Sequence, residues 1–138
     1  MTWYYNDQPY EPSEEDLRPF VGFVYCIEEK TTGKKYIGKK FFWKPKILPV
    51  TKTRKRRKRT LVESDWRSYF GSNELLKERV IENGESIYNR VILKLCKTKG
   101  DCSYYEAKLQ FENDVLLDDN YYNNFIGCKI HSNHLSKC

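Results

Sequence analysis

The sequence predicts an α+β fold: a small, mainly antiparallel three-stranded sheet with flanking helices and a basic loop insertion. Three observations carry this. "VGFVYCIEE" and "KKYIGKKFFW" are β-branched and aromatic runs joined by "KTTG", which reads as a hairpin. "IYNRVILKLC" reads as a third strand, with one face buried by Val91, Leu93 and Leu95. Helical stretches lie before and after that strand, so a sheet covered by helices is the economical layout.

Taken in order, residues 1–20 read as an arm wrapped over the surface by its aromatics, with prolines at 9, 12 and 19. Residues 21–126 form the domain proper. Within it, residues 44–62 contain two prolines and dense positive charge, and are expected as a loop or arm. "ESDWRSYF" follows as a short helix with Ser64 or Asp65 near its N-cap, stopped by Gly71. Ser72 is expected to cap "NELLKERVIEN", with Gly84 closing it. "SYYEAKLQFENDVLL" places Tyr105, Leu109 and Leu116 on one helical face. "NYYNNFIGCKI" closes the domain as a turn and a short element, and residues 127–138 form a tail.

Length and composition set limits on function. A chain of 138 residues suits one core. Its apolar fraction is 39%, much of it aromatic, and 11 tyrosines suit a small core beneath a polar working surface. The net charge of +6 is concentrated: "TKTRKRRKR" at 51–59 holds seven basic residues, and without them the remainder is near −1. Localised positive charge points to a polyanion, with nucleic acid foremost. Lys52, Arg54, Lys55, Arg56, Arg57, Lys58 and Arg59 are therefore the candidate nucleic-acid contacts. No run approaches the ~18 apolar residues of a membrane span, and the N-terminal residues lack a secretory pattern. A cytoplasmic chain with free thiols at its five cysteines is expected.

The hairpin raises the chemical question. A two-residue loop at Thr32–Gly33 would place Tyr25 opposite Lys40 and Tyr36 opposite Glu29. Period-2 alternation then puts Tyr25, Tyr36 and Lys40 on one face. Free tyrosine titrates near ~10. A nearby ammonium would lower that value and allow a tyrosine to take a proton from water. An aromatic strand pair with solvating lysines is the plainer account of the same residues.

"FVY", a ten-residue spacer and "YIG" resemble the paired signature of the GIY-YIG nuclease superfamily. Tyr36-Ile37-Gly38 matches letter for letter, whereas Phe23 stands where glycine is usual. Glu106 in "YYEAKLQF" and Asn123 in "YYN" follow in the family's order, and "YIGKKFFWKPK" and "SDWRSYFGS" are most similar to small stand-alone phage members of homing type. The resemblance implies a metal-dependent DNA endonuclease, with phage origin placing it in the host cytoplasm. It implies that Tyr25 and Tyr36 stand over the scissile phosphate and that Glu106 holds one Mg²⁺ or Mn²⁺. Lys40, beside Lys39, would favour the phenolate or touch the phosphate, and Asn123 joins the nucleic-acid contacts. The family's arginine is expected at Arg67, with Arg90, Arg57 and Arg59 as alternatives.

Glu106 also fits an S-x-x-E capping box opened by Ser103. Cys128, His131, His134 and Cys138 could hold zinc in principle, but their spacing matches no closed-site pattern. Two other functions stay open: an inactive nucleic-acid-binding module on the same scaffold, and a basic structural or inhibitory protein acting through other proteins. The DNA partner is expected to be double-stranded. One such site cuts one strand, so double-strand cleavage would require a homodimer on DNA or two encounters.

Overall fold

The computed structural model describes residues 2–135. Its centre is a mixed five-stranded sheet, in the order β2-β1-β7-β3-β4. The strands are β1 (Trp3–Tyr5), β2 (Gln8–Tyr10), β3 (Gly22–Glu29), β4 (Lys35–Phe41) and β7 (Tyr88–Cys96). A separate two-stranded ribbon pairs β5 (Trp43–Leu48) with β6 (Lys58–Glu63). The helices are α1 (Glu14–Leu17), α2 (Glu74–Asn83) and α3 (Lys99–Glu112). The α+β class stands, but the sheet has five strands where three were expected.

The two extra strands come from the N-terminal residues. β1 pairs antiparallel with β2 and parallel with β7. Trp3 is buried in the core, and its indole N–H donates to the Trp66 carbonyl at 2.8 Å. The expected surface arm is thus part of the sheet, because burying one tryptophan outweighs the ordering of a three-residue strand.

β3 and β4 form the expected hairpin with a different register. Tyr25 pairs with Gly38, Ile27 with Tyr36 and Phe23 with Lys40. The Glu29 carbonyl accepts from Thr32 and Gly33, and the Glu29 N–H donates to Lys34. This makes a four-residue loop, Lys30–Gly33, with Gly33 at φ 76°. The pairing has slid by two residues, which preserves side-chain parity. Tyr25, Tyr36 and Lys40 therefore do share a face, although their expected cross-strand partners are wrong.

In β7 a bulge leaves Leu93 without a cross-strand partner, since Val24 pairs with Lys94 and Tyr25 with Ile92. The extra residue reverses parity. Tyr88, Arg90 and Ile92 are buried while Leu93 is exposed, so of the expected Val91–Leu93–Leu95 face Leu95, beyond the bulge, packs on this core as expected and Leu93 does not.

Each face of the sheet has its own core. Phe23, Tyr25, Ile27 and Ile92 pack with Phe42, Trp66 and Leu76 on one side. Val24 and Ile37 meet Cys96, Cys102 and Val115 under α3 on the other. Asn73, rather than Ser72, caps α2 by accepting from Leu76 N–H, and Gly84 closes it as expected. "ESDWRSYF" forms only a 3-10 turn over Trp66–Ser68, with no side-chain cap from Asp65. α3 begins at Lys99 with Thr98 as N-cap and ends at Glu112. Leu116 lies beyond it and is exposed.

Of the expected basic loop 44–62, residues 44–48 and 58–62 are instead the β5–β6 ribbon, while 49–57, with five of the seven clustered basic residues, are irregular as expected. Trp43 anchors its base through an indole bond to the Phe20 carbonyl, and buried Phe42 precedes it. No helix among the described residues is long and apolar enough to cross a membrane.

Candidate active site

β4 is an edge strand, and its outward backbone groups organise the site. At Lys35 they pair with Asn120 and Tyr122. At Ile37 the N–H donates to Asn123 Oδ1 (3.1 Å), while the carbonyl accepts from Asn123 Nδ2 (2.8 Å) and Gln110 Nε2 (2.9 Å). At Lys39 the backbone N–H faces the Glu106 carboxylate. A bare strand edge is thus covered step by step from the C-terminal segment and α3.

Gly38 lies between these contacts. A β-carbon there would come within 2.6 Å of the Tyr25 hydroxyl oxygen and 2.9 Å of the Tyr36 ring. The missing side chain opens a gap that both tyrosines occupy. Their ring centroids are 6.2 Å apart, and Tyr69 stands edge-on to Tyr25 at 5.9 Å. Tyr25 is fully buried, and its hydroxyl makes no hydrogen bond of good geometry, although Tyr69 lies beside it. Tyr36 is half-buried, and its hydroxyl pairs with Ser72 Oγ at 3.0 Å.

Burial raises the pKa of both tyrosines, Tyr25 most strongly, and the neighbouring phenols and Glu106 add to this. The expected phenolate is therefore not favoured by the protein's own groups; both tyrosines are neutral hydroxyls at pH 7. Lys40 is on the expected face, but its ammonium is tied to Asp65 Oδ1 at 2.8 Å and lies 4.2 Å from the Tyr69 ring centroid.

Glu106 is well inside α3, so the capping-box alternative fails: Thr98 is the cap, and Ser103 Oγ instead accepts from Lys39 Nζ at 2.8 Å. Lys39 Nζ is 3.9 Å from Glu106 Oε1. Burial raises the Glu106 pKa, and Lys39 partly opposes that rise. Both tyrosines feel the carboxylate electrostatically. A partly desolvated carboxylate within electrostatic range of two phenols suits a hard cation, which favours oxygen donors. Glu106 would be the protein ligand, and other positions would be open to water and phosphate.

Several expected residues sit elsewhere. Arg67 is exposed; it donates to Glu63 Oε1 (2.7 Å) and the Pro12 carbonyl (2.7 Å) and lies over Trp66. Arg90 is buried, donates to the Arg67 and Tyr69 carbonyls, and is lowered to about 10 by burial. Asn123 is buried and spends its carboxamide on Ile37 instead of presenting it outward. Lys58 and Arg59 are on β6, and Lys52, Lys55, Arg56 and Arg57 are exposed at the ribbon tip. Arg54 turns back onto the Pro49 carbonyl at 2.6 Å. Among the described residues no group of three or more His, Cys, Asp or Glu gathers to hold a metal; Cys138 lies outside them. The four described cysteines are free thiols.

Sequence reasoning missed Lys39 as the partner of Glu106, Ser72 as the partner of Tyr36, and Gln110 as a clasp on Ile37. The YIG triplet and period 2 did carry one signal: Lys39 must face away from Lys40, toward α3.

Neither the curated proteins nor the solved structures gave a match to this chain. A family model does match residues 3–126, that described as "Putative endonuclease segE, GIY-YIG domain". The matched span takes in β1, the tyrosine pair, Glu106 and Asn123, so the N-terminal strands belong to the same unit as the site. The chain belongs to this family of GIY-YIG endonuclease domains.

Proposed function

We propose that the protein is a Mg²⁺- or Mn²⁺-dependent endonuclease that hydrolyses phosphodiester bonds in double-stranded DNA. The observation that carries this reading is the packing of Tyr25 and Tyr36 against Gly38, with the Glu106 carboxylate beside Lys39 and within electrostatic range of both phenols.

Each side chain has a role that its surroundings support. Glu106 anchors the cation, which when bound would polarise the phosphate and offset charge on the leaving oxygen. Tyr25, buried between Tyr36 and Tyr69, does not reach the phosphate itself and serves to position the Tyr36 ring beside Gly38. Tyr36, a neutral hydroxyl paired with Ser72, orients the attacking water, whose proton passes to bulk water as the new P–O bond forms. Lys40 compensates phosphate charge when Asp65 releases it. Water adds across one P–O bond, so the products are a terminal phosphate and a free hydroxyl. The exposed basic tip neutralises phosphates away from the cut.

A second reading, an inactive DNA-binding module, draws on the placement of Arg67, which faces Glu63 and Pro12. The test is incubation of supercoiled plasmid with the protein and Mg²⁺ or Mn²⁺, against an EDTA control. Nicked or linear product only with metal supports the enzyme. Binding without cleavage in both metals and on several DNA substrates supports the second reading.

A further inference from the structure

The β5–β6 ribbon has two unlike faces. Alternation puts Lys44, Lys46 and Lys58 with Leu48, Thr60 and Val62 on one, and Pro45, Ile47, Leu61 and Arg59, with Trp43 and Glu63 at the base, on the other. Ile47 and Leu61 are 61% and 62% exposed, so the second face is bare beyond the Trp43 base. Among the described residues the ribbon is held at its base, by Trp43 and Glu63, and no other element packs closely on its outer part. An isolated two-stranded ribbon is marginal in water. Such an arm calls for a partner. The charge of residues 51–59, joined by Lys44 and Lys46, calls for an anionic one.

We propose that the ribbon inserts into the major groove of duplex DNA; this rests on the endonuclease reading above and names how its substrate is held. A major groove ~12 Å wide admits a two-stranded ribbon, whereas the minor groove, ~6 Å wide, does not without being opened. The apolar face with Arg59 meets the base edges, where Ile47 and Leu61 suit thymine methyl groups and Arg59 suits guanine. The groove is ~8.5 Å deep, so its phosphate walls rise level with the outward face, where Lys44, Lys46 and Lys58 reach sideways to them. A surface cavity of about 310 Å³, lined by Lys39, Lys40, Trp43, Lys44, Pro45 and Asp65, runs from the site's lysines to the ribbon base. DNA held by the ribbon is thereby led toward Gly38 and the tyrosines.

The test measures binding to a 30-base-pair duplex in EDTA by fluorescence anisotropy over a range of salt. Replacing Lys44, Lys46 and Lys58 with Gln should flatten the log–log salt dependence by about 2 to 3, near 0.9 per lost phosphate contact. Ile47→Ser with Leu61→Ser should weaken binding several-fold with the slope unchanged. Methyl green, a major-groove ligand, should displace the wild type, and netropsin, a minor-groove ligand, should not. All these residues are exposed, and an unchanged melting temperature confirms the fold. An unaltered slope in the lysine variant, or displacement by netropsin alone, overturns the groove assignment but leaves the endonuclease reading intact. Loss of a concentration-dependent dimer in the serine variant, seen by sedimentation, also overturns it, because the apolar face would then join two copies. Failure of the wild type to bind any duplex overturns both readings.

Discussion

Gly38 and Tyr25 are cross-strand partners, and a β-carbon on the glycine would sit 2.6 Å from the tyrosine's hydroxyl oxygen. Tyr25 is held in the core on all sides and cannot swing clear. Gly38→Ala should therefore cost about 1 to 3 kcal/mol of stability, as overpacking does, and should abolish cleavage even where the protein still folds. Urea denaturation together with a plasmid assay separates the two effects.

Glu106 must be ionised to hold a cation, and burial raises its pKa. Cleavage should therefore fall on the acid side at a higher pH than an ordinary carboxylate would give. Lys39 opposes that rise, so Lys39→Met should move the acid limb of kcat/KM to still higher pH. A pH–rate profile of both proteins checks this. An unmoved limb would mean that Lys39 serves only Ser103.

Stability has a separate pH dependence centred on Glu29. This buried carboxylate accepts from Arg79 at 2.6 Å, Tyr122 at 2.6 Å and Thr32 at 3.0 Å, tying α2 and the C-terminal segment to β3. Its pKa is lowered to about 2, chiefly by the Arg79 hydrogen bond. A depressed folded pKa stabilises above the unfolded value of about 4.3, and the gain is lost as pH falls through about 2. Glu29→Gln should cost about 2 kcal/mol at pH 7, as loss of a charged hydrogen-bond partner does. The gap from wild type should narrow below pH 4.5. Thermal melts across that range measure it.

Asn123 clasps the backbone of Ile37, the residue before Gly38. Asn123→Ala leaves a buried N–H and weakens the carbonyl's support, for a cost of about 1 to 3 kcal/mol. Cleavage should fall while duplex affinity in EDTA stays near wild type, because the residue positions the strand without facing solvent. A matching loss of affinity would instead make Asn123 a DNA contact.

The site was partly legible because its strongest signals are local. Period 2 keeps Tyr25, Tyr36 and Lys40 on one face under any even-length loop, so the parity survived a wrong register. The register itself did not, because Thr32–Gly33 reads as a two-residue turn while both N–H groups bond to Glu29. Trp3 was illegible as core, since a three-residue strand has no periodicity. The ribbon was hidden because proline and dense charge argue for a loop, although Pro45 is tolerated in a two-stranded ribbon. Ser103-x-x-Glu106 imitates a helix start, whereas Thr98 five residues earlier supplies the real one.

The most direct measurement compares wild type with Glu106→Gln for melting temperature, duplex binding and metal-dependent plasmid cleavage. Since burial disfavours the ionised carboxylate, removing its charge should leave the melting temperature equal or higher. Binding in EDTA should persist, and cleavage should fall by at least about 10²-fold, the loss expected when a group that stabilises developing charge is removed. A variant that folds, binds and still cuts at the wild-type rate would contradict the assignment of Glu106 and, with it, the site built around Gly38.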